Sequence, residues 1–429
     1  MKIVLSSLNF SPELTGIGKY SGEMADGLVD RGHEVVVVCA PPYYPHWRVG
    51  AGYGGLRYSV ERPRPGLTVI RCPLWVPASP TAIKRVLHLL SFMLSSLPVM
   101  LALVAWRPAL VFAVAPAFFC APTAWLTARL AGAKAWLHIQ DFELDAAFEM
   151  GLLQGGWTRR LFATAERFLL RRFDQVSTIS RRMLRKLAYK GVPLDRGQLL
   201  PNWVDLRAIH PVAAGPGSSA MRQSLQVGDD QLVFLFSGSM NRKQGLPVLF
   251  EAMDLLGHRE DLVLVLCGDG ELREQVAAAA QGRLQVRVLP LQPADRLNEL
   301  LNMADVHLLP QMANAADLVM PSKLSGMLAS GRPVVAAALP GTEIARVVRD
   351  CGLLVQPECA ADFARAMAAL ADDAQERIRL GGNARRYAER ALGFDSLLAH
   401  TEACLLHTVA QTDAVTASDS GLPSAAVPG

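Results

Sequence analysis

Residues 231–270, QLVFLFSGSMNRKQGLPVLFEAMDLLGHREDLVLVLCGDG, decide the fold. Two apolar runs, LVFLF and LVLVL, flank a segment with helical patterning, and each run ends in a loop that carries glycine. Apolar runs without polar alternation belong to strands covered on both faces, and an intervening helix makes such a pair parallel. Working outward, the alternation continues through LQVRVLP (284–290), DVHLLP (305–310), RPVVAAA (332–338) and GLLVQP (352–357). Before it lies HPVAAGPGSSA (210–220), a linker composition. Upstream again, KIVLSSL (2–8), a helix through EMADGLVDRG (23–32) and EVVVVCA (34–40) open an earlier series that closes at QLLPNWVDL (198–206). The sequence therefore predicts an α/β protein with two doubly wound, Rossmann-like domains, at 1–205 and 206–385. Crossover helices follow at 386–408, and a polar, Pro-containing tail at 409–429 reads as disordered.

At 429 residues the chain has room for two such cores. Lys and Arg number 43 against 39 Asp and Glu, a net charge of +4 that gives no case for nucleic acid as a partner. The seven cysteines are scattered without CxxC spacing and sit mostly in strand-like runs, which predicts buried thiols in a reducing compartment. The N-terminus, MKIVLSSLNF, lacks an apolar signal region, so the expected location is cytoplasmic.

Mean hydropathy, +0.22, is high for a freely soluble enzyme. Its source is partly 86–106, VLHLLSFMLSSLPVMLALVAW, which has no charge over 21 residues and meets the length rule for a membrane span. LTVIRC (67–72) and ALVFAVA (109–115) on either side read as strands, and a crossing would leave them on opposite sides of the bilayer. A buried helix or one lying in the interface fits better. His88, Ser91, Ser95 and Pro98 recur at helical spacing and leave one weakly polar stripe.

In open parallel sheets, ligands bind beyond the carboxyl ends of strands, so the loops there and a cleft between two such domains are the expected site. The first loop carries Gly16 and Gly18 opening a helix. They lie too far past the strand for a dinucleotide fingerprint, and a plain turn or backbone approach to a phosphate both fit. In the second domain Ser239, Arg242 and Lys243 follow a strand and precede a helix, where charge and free amides suit a diphosphate. Pro321 and Ser322 start another helix and Lys323 falls in its first turn, a position the helix dipole disfavours for a cation unless an anion binds there.

His138 ends the strand AWLHIQ, with Asp141, Glu143 and Asp145 close behind. It reads either as a core histidine or as a group that positions or deprotonates a sugar hydroxyl. PPYYPHW (41–47) offers aromatic faces for a sugar, a lipid or packing. Ten Lys or Arg between 157 and 190 form a solvated face or attract an anionic lipid. HExxH, paired CxxC, DxD, Walker A and GxSxG motifs are all absent, so neither a metal nor another cofactor is expected.

Taken together, SPELTGIGKYSGEMADGLVDRGHEVVVV, STISRRM, PNWVD, SGSMNRKQGL, CGDGELR, LPLQPADRLNELLNMADVHLLP and MPSKLSGMLASGRPVVA resemble the retaining glycosyltransferase family 4 of the GT-B fold, over about 1–407. HIQDFELDAAFEMGLL, APPYYPHW and CPLWVP are most similar to its colanic acid type of exopolysaccharide enzymes.

The resemblance implies two domains facing each other across a cleft, with a C-terminal helix returning to the first. It implies a UDP- or GDP-sugar donor on the second domain and a lipid-linked oligosaccharide acceptor on the first, with transfer at the inner face of the cytoplasmic membrane. By the same likeness the SGSMNRKQG loop and Lys323 face the diphosphate, Gly16 and Gly18 close over it, backbone at Leu291 and Gln292 meets the base, and His138 lies near the transferred sugar. The family's two glutamates, eight positions apart, fall at Leu318, beside Asp317, and at Gly326. Its usual Arg and Lys fall at Ser239 and Gln244. Asp317 is left as the donor-contacting carboxylate. A GT-B nucleotide-sugar epimerase and a catalytically silent scaffold of a polysaccharide assembly complex are the alternatives.

Overall fold

The computed structural model describes residues 1–13, 16–79, 81–115, 117–142, 156–212, 220–313 and 321–419. The chain divides into two compact units, Met1–Leu200 with Leu398–Gly429, and Pro201–Leu397.

Unit 1 carries β1 (Lys2–Ser7), α1 (Gly16–Asp30), β2 (Glu34–Cys39), β3 (Ser59–Arg64), β4 (Leu67–Arg71), α2 (Ala82–Ala102), β5 (Leu110–Val114), α3 (Ala117–Ala131), β6 (Lys134–Ile139), α4 (Gly156–Leu170), β7 (Gln175–Thr178), α5 (Arg181–Tyr189) and β8 (Gly197–Leu199). Its sheet order is β3-β4-β2-β1-β5-β6-β7-β8, parallel except for the β3–β4 edge pair. From β1 the connections run outward to β2 and β4, then return to β5 and run the other way. The loops after β1 and β5 therefore diverge, which opens a crevice at the carboxyl ends of these two strands. Phe112 of β5 stacks on Trp136 of β6 at 5.9 Å between ring centres, and both are fully buried.

Unit 2 carries α6 (Ala220–Ser224), β9 (Leu232–Ser237), α7 (Pro247–Leu255), β10 (Leu262–Cys267), α8 (Arg273–Ala280), β11 (Val286–Leu289), α9 (Leu297–Asn302), β12 (Val306–Leu309), α10 (Ser322–Ala329), β13 (Val334–Ala337), α11 (Glu343–Val348), β14 (Gly352–Val355), α12 (Ala360–Asp372) and α13 (Ala374–Ala391). The order β11-β10-β9-β12-β13-β14 is parallel throughout and reverses between β9 and β12. Residues 262–267, LVLVLC, are buried at every position, as two covered faces require.

α14 (Phe394–Asp419) begins in unit 2, and its residues from Leu398 onward belong to unit 1. There Glu402 accepts from Arg31 and pairs with His33, each at 2.8 Å, tying the helix to the turn between α1 and β2. The helix extends past 409 into the segment whose composition predicts disorder, and 420–429 lie outside the described residues. Its alanines and threonines continue a helix already anchored upstream, and composition alone carries no record of that anchor. All seven cysteines are free thiols. Cys359 and Cys404 are only partly buried.

Candidate active site

In unit 2 the loops after β9 and β12 flank the reversal in strand order. Gly238 (φ +134°) leads out of β9, Arg242–Gln244 form a single 3-10 turn, and Gly245 (φ +61°) turns the chain into α7. A Cβ at Gly245 would lie 2.4 Å from the Pro310 carbonyl oxygen, so glycine is required both by the left-handed backbone and by the approach of the loop after β12. The Met240 N–H donates to Asp269 O at 2.8 Å, and the Leu272 N–H returns to Met240 O at 2.9 Å. The glycines of CGDG are what let the two loops approach this closely.

Lys323, in the first turn of α10, reaches back to this loop. Its Nζ donates to Oε1 of Gln244 and lies 4.3 Å from the ring centre of Phe236, while its stem packs on Gly238. Burial pulls the ammonium down to about 7. Among the described residues this cation is held by one neutral amide and an aromatic face, with no counter-charge, at the start of a helix whose dipole also favours an anion.

The other sequence candidates distribute unevenly. Arg242 and Lys243 share the loop, and both are exposed. The Arg242 N–H donates to Glu271 at 3.1 Å. Ser239 Oγ accepts from Asn241 Nδ2 at 3.1 Å. Ser322 is exposed at the start of α10 behind Pro321, which occupies the cap position without a side-chain bond. Leu291 is exposed in the loop after β11, and the Gln292 amide folds onto Pro290 O at 2.9 Å. Asp317, Glu143 and Asp145 lie outside the described residues. At Gly326 a Cβ would meet Leu301 Cδ1 at 3.3 Å, so helix packing is tight where the family places a glutamate.

In unit 1 His138 ends β6 and is buried. Its Nε2 faces the Gln140 amide nitrogen at 3.0 Å, and its Nδ1 faces Ser177 Oγ at 2.9 Å. An amide nitrogen only donates, so Nε2 accepts and the ring proton sits on Nδ1, directed at Ser177. Trp136 Nε1 donates to the same hydroxyl at 2.8 Å. Burial holds the imidazole down at about 4, so it is neutral near pH 7. A ring so held is suited to orienting a hydroxyl or shuttling a proton through Nε2 once Gln140 yields. Asp141 follows, partly buried.

Gly16 and Gly18 open α1 beside this sheet's own reversal. Gly16 (φ +59°) has open space where a Cβ would go, whereas Gly18 packs on Glu13, with 2.7 Å between a built Cβ and Glu13 Cβ. Sequence reasoning missed Glu13. Its carboxylate accepts from the Tyr43 and Tyr44 N–H groups and from Asn9 Nδ2, each at 2.9 Å, and binds the glycine loop to the aromatic loop. Burial raises its pKa, and those donors with Arg71 oppose the rise. Only the triplet SPE marked it in the sequence. Tyr43 and Trp47 meet His88 of α2 edge-on or tilted, at 4.7 and 5.2 Å, so part of the aromatic loop is internal packing.

The polar stripe of α2 also turns inward. His88 Nδ1 meets Trp75 O at 2.7 Å, Ser91 Oγ accepts from the Trp75 N–H at 3.1 Å, and Ser95 Oγ donates to Pro73 O at 2.6 Å. The apolar residues Ile83, Leu87, Leu94 and Leu101 are left exposed, Leu94 by 63%. Ile83–Trp106 is long and apolar enough to cross a membrane by length and composition, and it is the only such helix among the described residues. Among those residues no three His, Cys, Asp or Glu side chains gather as a metal cluster.

Profiles for the "Glycosyl transferase 4-like domain" and for "Glycosyl transferases group 1" match residues 15–203 and 231–373. The chain is 40% identical, over 93% of its length and 98% of the relative's, to a protein named as the colanic acid biosynthesis glycosyl transferase WcaI of Escherichia coli (strain K12). This chain belongs to glycosyltransferase family 4.

As a family 4 glycosyltransferase it also shares 31% identity with the D-inositol 3-phosphate glycosyltransferase of Xylanimonas cellulosilytica, over 49% of this chain and 51% of that one. Solved structures establish the GT-B fold. Sucrose-phosphate synthase from Thermosynechococcus elongatus gives a TM-score of 0.73 at 16% identity, over 96% of this chain and all of that one. HepE from Anabaena, solved in complex with UDP, gives 0.65 at 15% identity, over 95% of this chain and 100% of its own. In the glycosyltransferase, then, the two strand-order reversals described above are those of the two GT-B sheets.

Proposed function

We propose that this glycosyltransferase is a retaining, metal-independent hexosyltransferase. It moves a hexose from a UDP- or GDP-sugar to a lipid-linked oligosaccharide in exopolysaccharide synthesis of the colanic acid kind. Lys323, held at the unit 2 strand reversal with no counter-charge among the described residues, is the observation that carries the reading. The donor diphosphate supplies the missing charge, and the first turn of α10 supplies amides. As the sugar–phosphate bond breaks, negative charge grows on the diphosphate, and the ammonium and amides stabilise it. The exposed Arg242 and Lys243 add charge at the rim. HepE bears UDP in its solved form, which supports a uridine donor by likeness.

Unit 1 receives the acceptor in this reading. His138 orients its hydroxyl, with Gln140 and Ser177 fixing the ring. Retention follows when the leaving diphosphate oxygen takes the acceptor proton on the same face, a step that needs no divalent ion. The apolar face of α2, bracketed by exposed Lys84, Arg85 and Arg107, suits a helix lying on an anionic membrane surface, where a lipid-linked acceptor is found. The test is transfer from a panel of UDP- and GDP-sugars to a lipid-linked acceptor in EDTA. Turnover that Lys323→Ala abolishes supports the reading, and turnover that EDTA abolishes removes metal independence.

A further inference from the structure

At the amino end of β6, the strand whose carboxyl end carries His138, a cavity of about 440 Å³ opens between the end of α3, the start of β6 and the turn after α4. Its wall brings four cations, Arg129, Lys134, Arg171 and Arg172, against one carboxylate, Asp174. That carboxylate is already engaged. One oxygen takes Lys134 Nζ at 3.2 Å and the other takes the Ala135 N–H at 2.8 Å. Among the described residues Arg171 spends only Nε, on Gly191 O at 3.2 Å. The Arg172 guanidinium lies 4.1 Å from the ring centre of Phe168 and 5.2 Å from that of Trp125, and stacking fixes its plane without using its N–H donors. Neither Arg129 nor Arg172 has a side-chain hydrogen bond to protein among the described residues.

We propose that this cavity is a phosphate-binding site, taking a phosphate monoester or diester between the Arg129, Arg171 and Arg172 guanidinia. Planar forks in a concave wall suit tetrahedral oxyanions, and the four cations here exceed the one carboxylate by three charges. Leu130, next to Arg129, is 56% exposed, and Phe168, under Arg172, is 59% exposed. Apolar side chains of that size beside the cations match a phosphate that comes with an acyl chain. The site shares only the membrane-surface part of the function proposed above, and it does not depend on the donor assignment.

The test uses the full chain, with vesicles of phosphatidylcholine alone or with phosphatidylglycerol, and separately inorganic phosphate against chloride at matched ionic strength. Flotation with phosphatidylglycerol vesicles should fall about tenfold in Arg129→Gln/Arg171→Gln, and remain near wild type in Arg365→Gln/Arg379→Gln, which loses the same charge from the surface of unit 2. Arg129→Glu alone, at an exposed position, covers the case in which the double variant fails to fold, with melting temperature as the check. A phosphate-dependent rise in wild-type melting temperature that the variant loses, without vesicle binding, assigns the site to a free phosphate instead of a lipid. Equal loss of vesicle binding in both double variants, or no response to either phosphate source, overturns the proposal. Donor-induced stabilisation in the same samples reports on the donor reading alone, so the two can fail separately.

Discussion

Lys323 donates from Nζ to Oε1 of Gln244, a residue 79 positions earlier on the neighbouring loop at the unit 2 strand reversal. Gln244 stands where the family usually carries a cation, so a neutral acceptor here replaces like-charge repulsion with a hydrogen bond. Gln244→Ala should free the Lys323 head and weaken donor binding by about threefold to tenfold, the range of one ordinary hydrogen bond. Calorimetric titration with UDP-sugars checks this, and no change would show that Gln244 does not position the lysine.

Lys323 also sets a pH dependence. With its pKa pulled down to about 7, the free protein holds it mostly neutral at about pH 8, and a bound diphosphate restores the charge. Donor binding at about pH 8 should take up close to one proton, and affinity should drop toward about tenfold per pH unit above the neutral point. Titrations in two buffers of different ionisation enthalpy measure the uptake, which Lys323→Met should abolish. Folding responds in the opposite direction. The unfolded lysine keeps its proton to its ordinary 10.5, so this group's contribution to stability rises as pH climbs from about 7 toward that value.

His138 gives the acid counterpart. Its ordinary 6.5 is lowered to about 4 by burial, so below 6.5 the unfolded chain binds the proton before the folded one does. Stability from this group is complete above 6.5 and is lost as pH falls toward 4, by at most about 3 kcal/mol. Urea unfolding across that window should show a steeper fall for wild type than for His138→Gln. Equal slopes would mean the ring is not held neutral.

Gly18 and Glu13 form a packing pair. Gly18→Ala drives a methyl into the carboxylate stem and should cost about 1 to 3 kcal/mol, while Glu13→Ala strands two backbone N–H groups at similar cost. Because the substitutions share one contact, the double variant should cost less than the sum. Additive losses in denaturant melts would separate the glycine loop from the aromatic loop.

The parallel sheets were legible because continuous apolar runs such as 35–39 and 262–267 have only one way to be buried on both faces. The place of Lys323 in the first turn of α10 was legible as well, since Pro321 and Ser322 are good residues to start a helix. The inward turn of the α2 stripe was not. Periodicity marked His88, Ser91 and Ser95 as one face, but their acceptors and donors are backbone groups at Pro73 and Trp75 that no pattern exposes. Glu13 was hidden for the same reason, because its partners at Tyr43 and Tyr44 are main-chain amides 30 and 31 residues away. Composition marked Arg242 and Lys243, but nothing in it showed that the 3-10 turn that carries them directs Gln244 to the lysine.

The outward face of α2 yields its own prediction. Leu87→Glu/Leu94→Glu places charge on positions already exposed, so the melting temperature should hold within a few degrees while binding to anionic vesicles falls at least about tenfold. A large loss of stability would show that this face is covered in the folded protein.

The central claim is that Lys323 holds the diphosphate of a nucleotide-activated sugar. Its most direct test is the dissociation constant of UDP- and GDP-sugars for wild type and Lys323→Ala, measured by calorimetry in excess EDTA. Binding that persists in EDTA and weakens by about tenfold to a hundredfold in the variant is the predicted result. Equal affinity in the two proteins, or binding that EDTA eliminates, would contradict it.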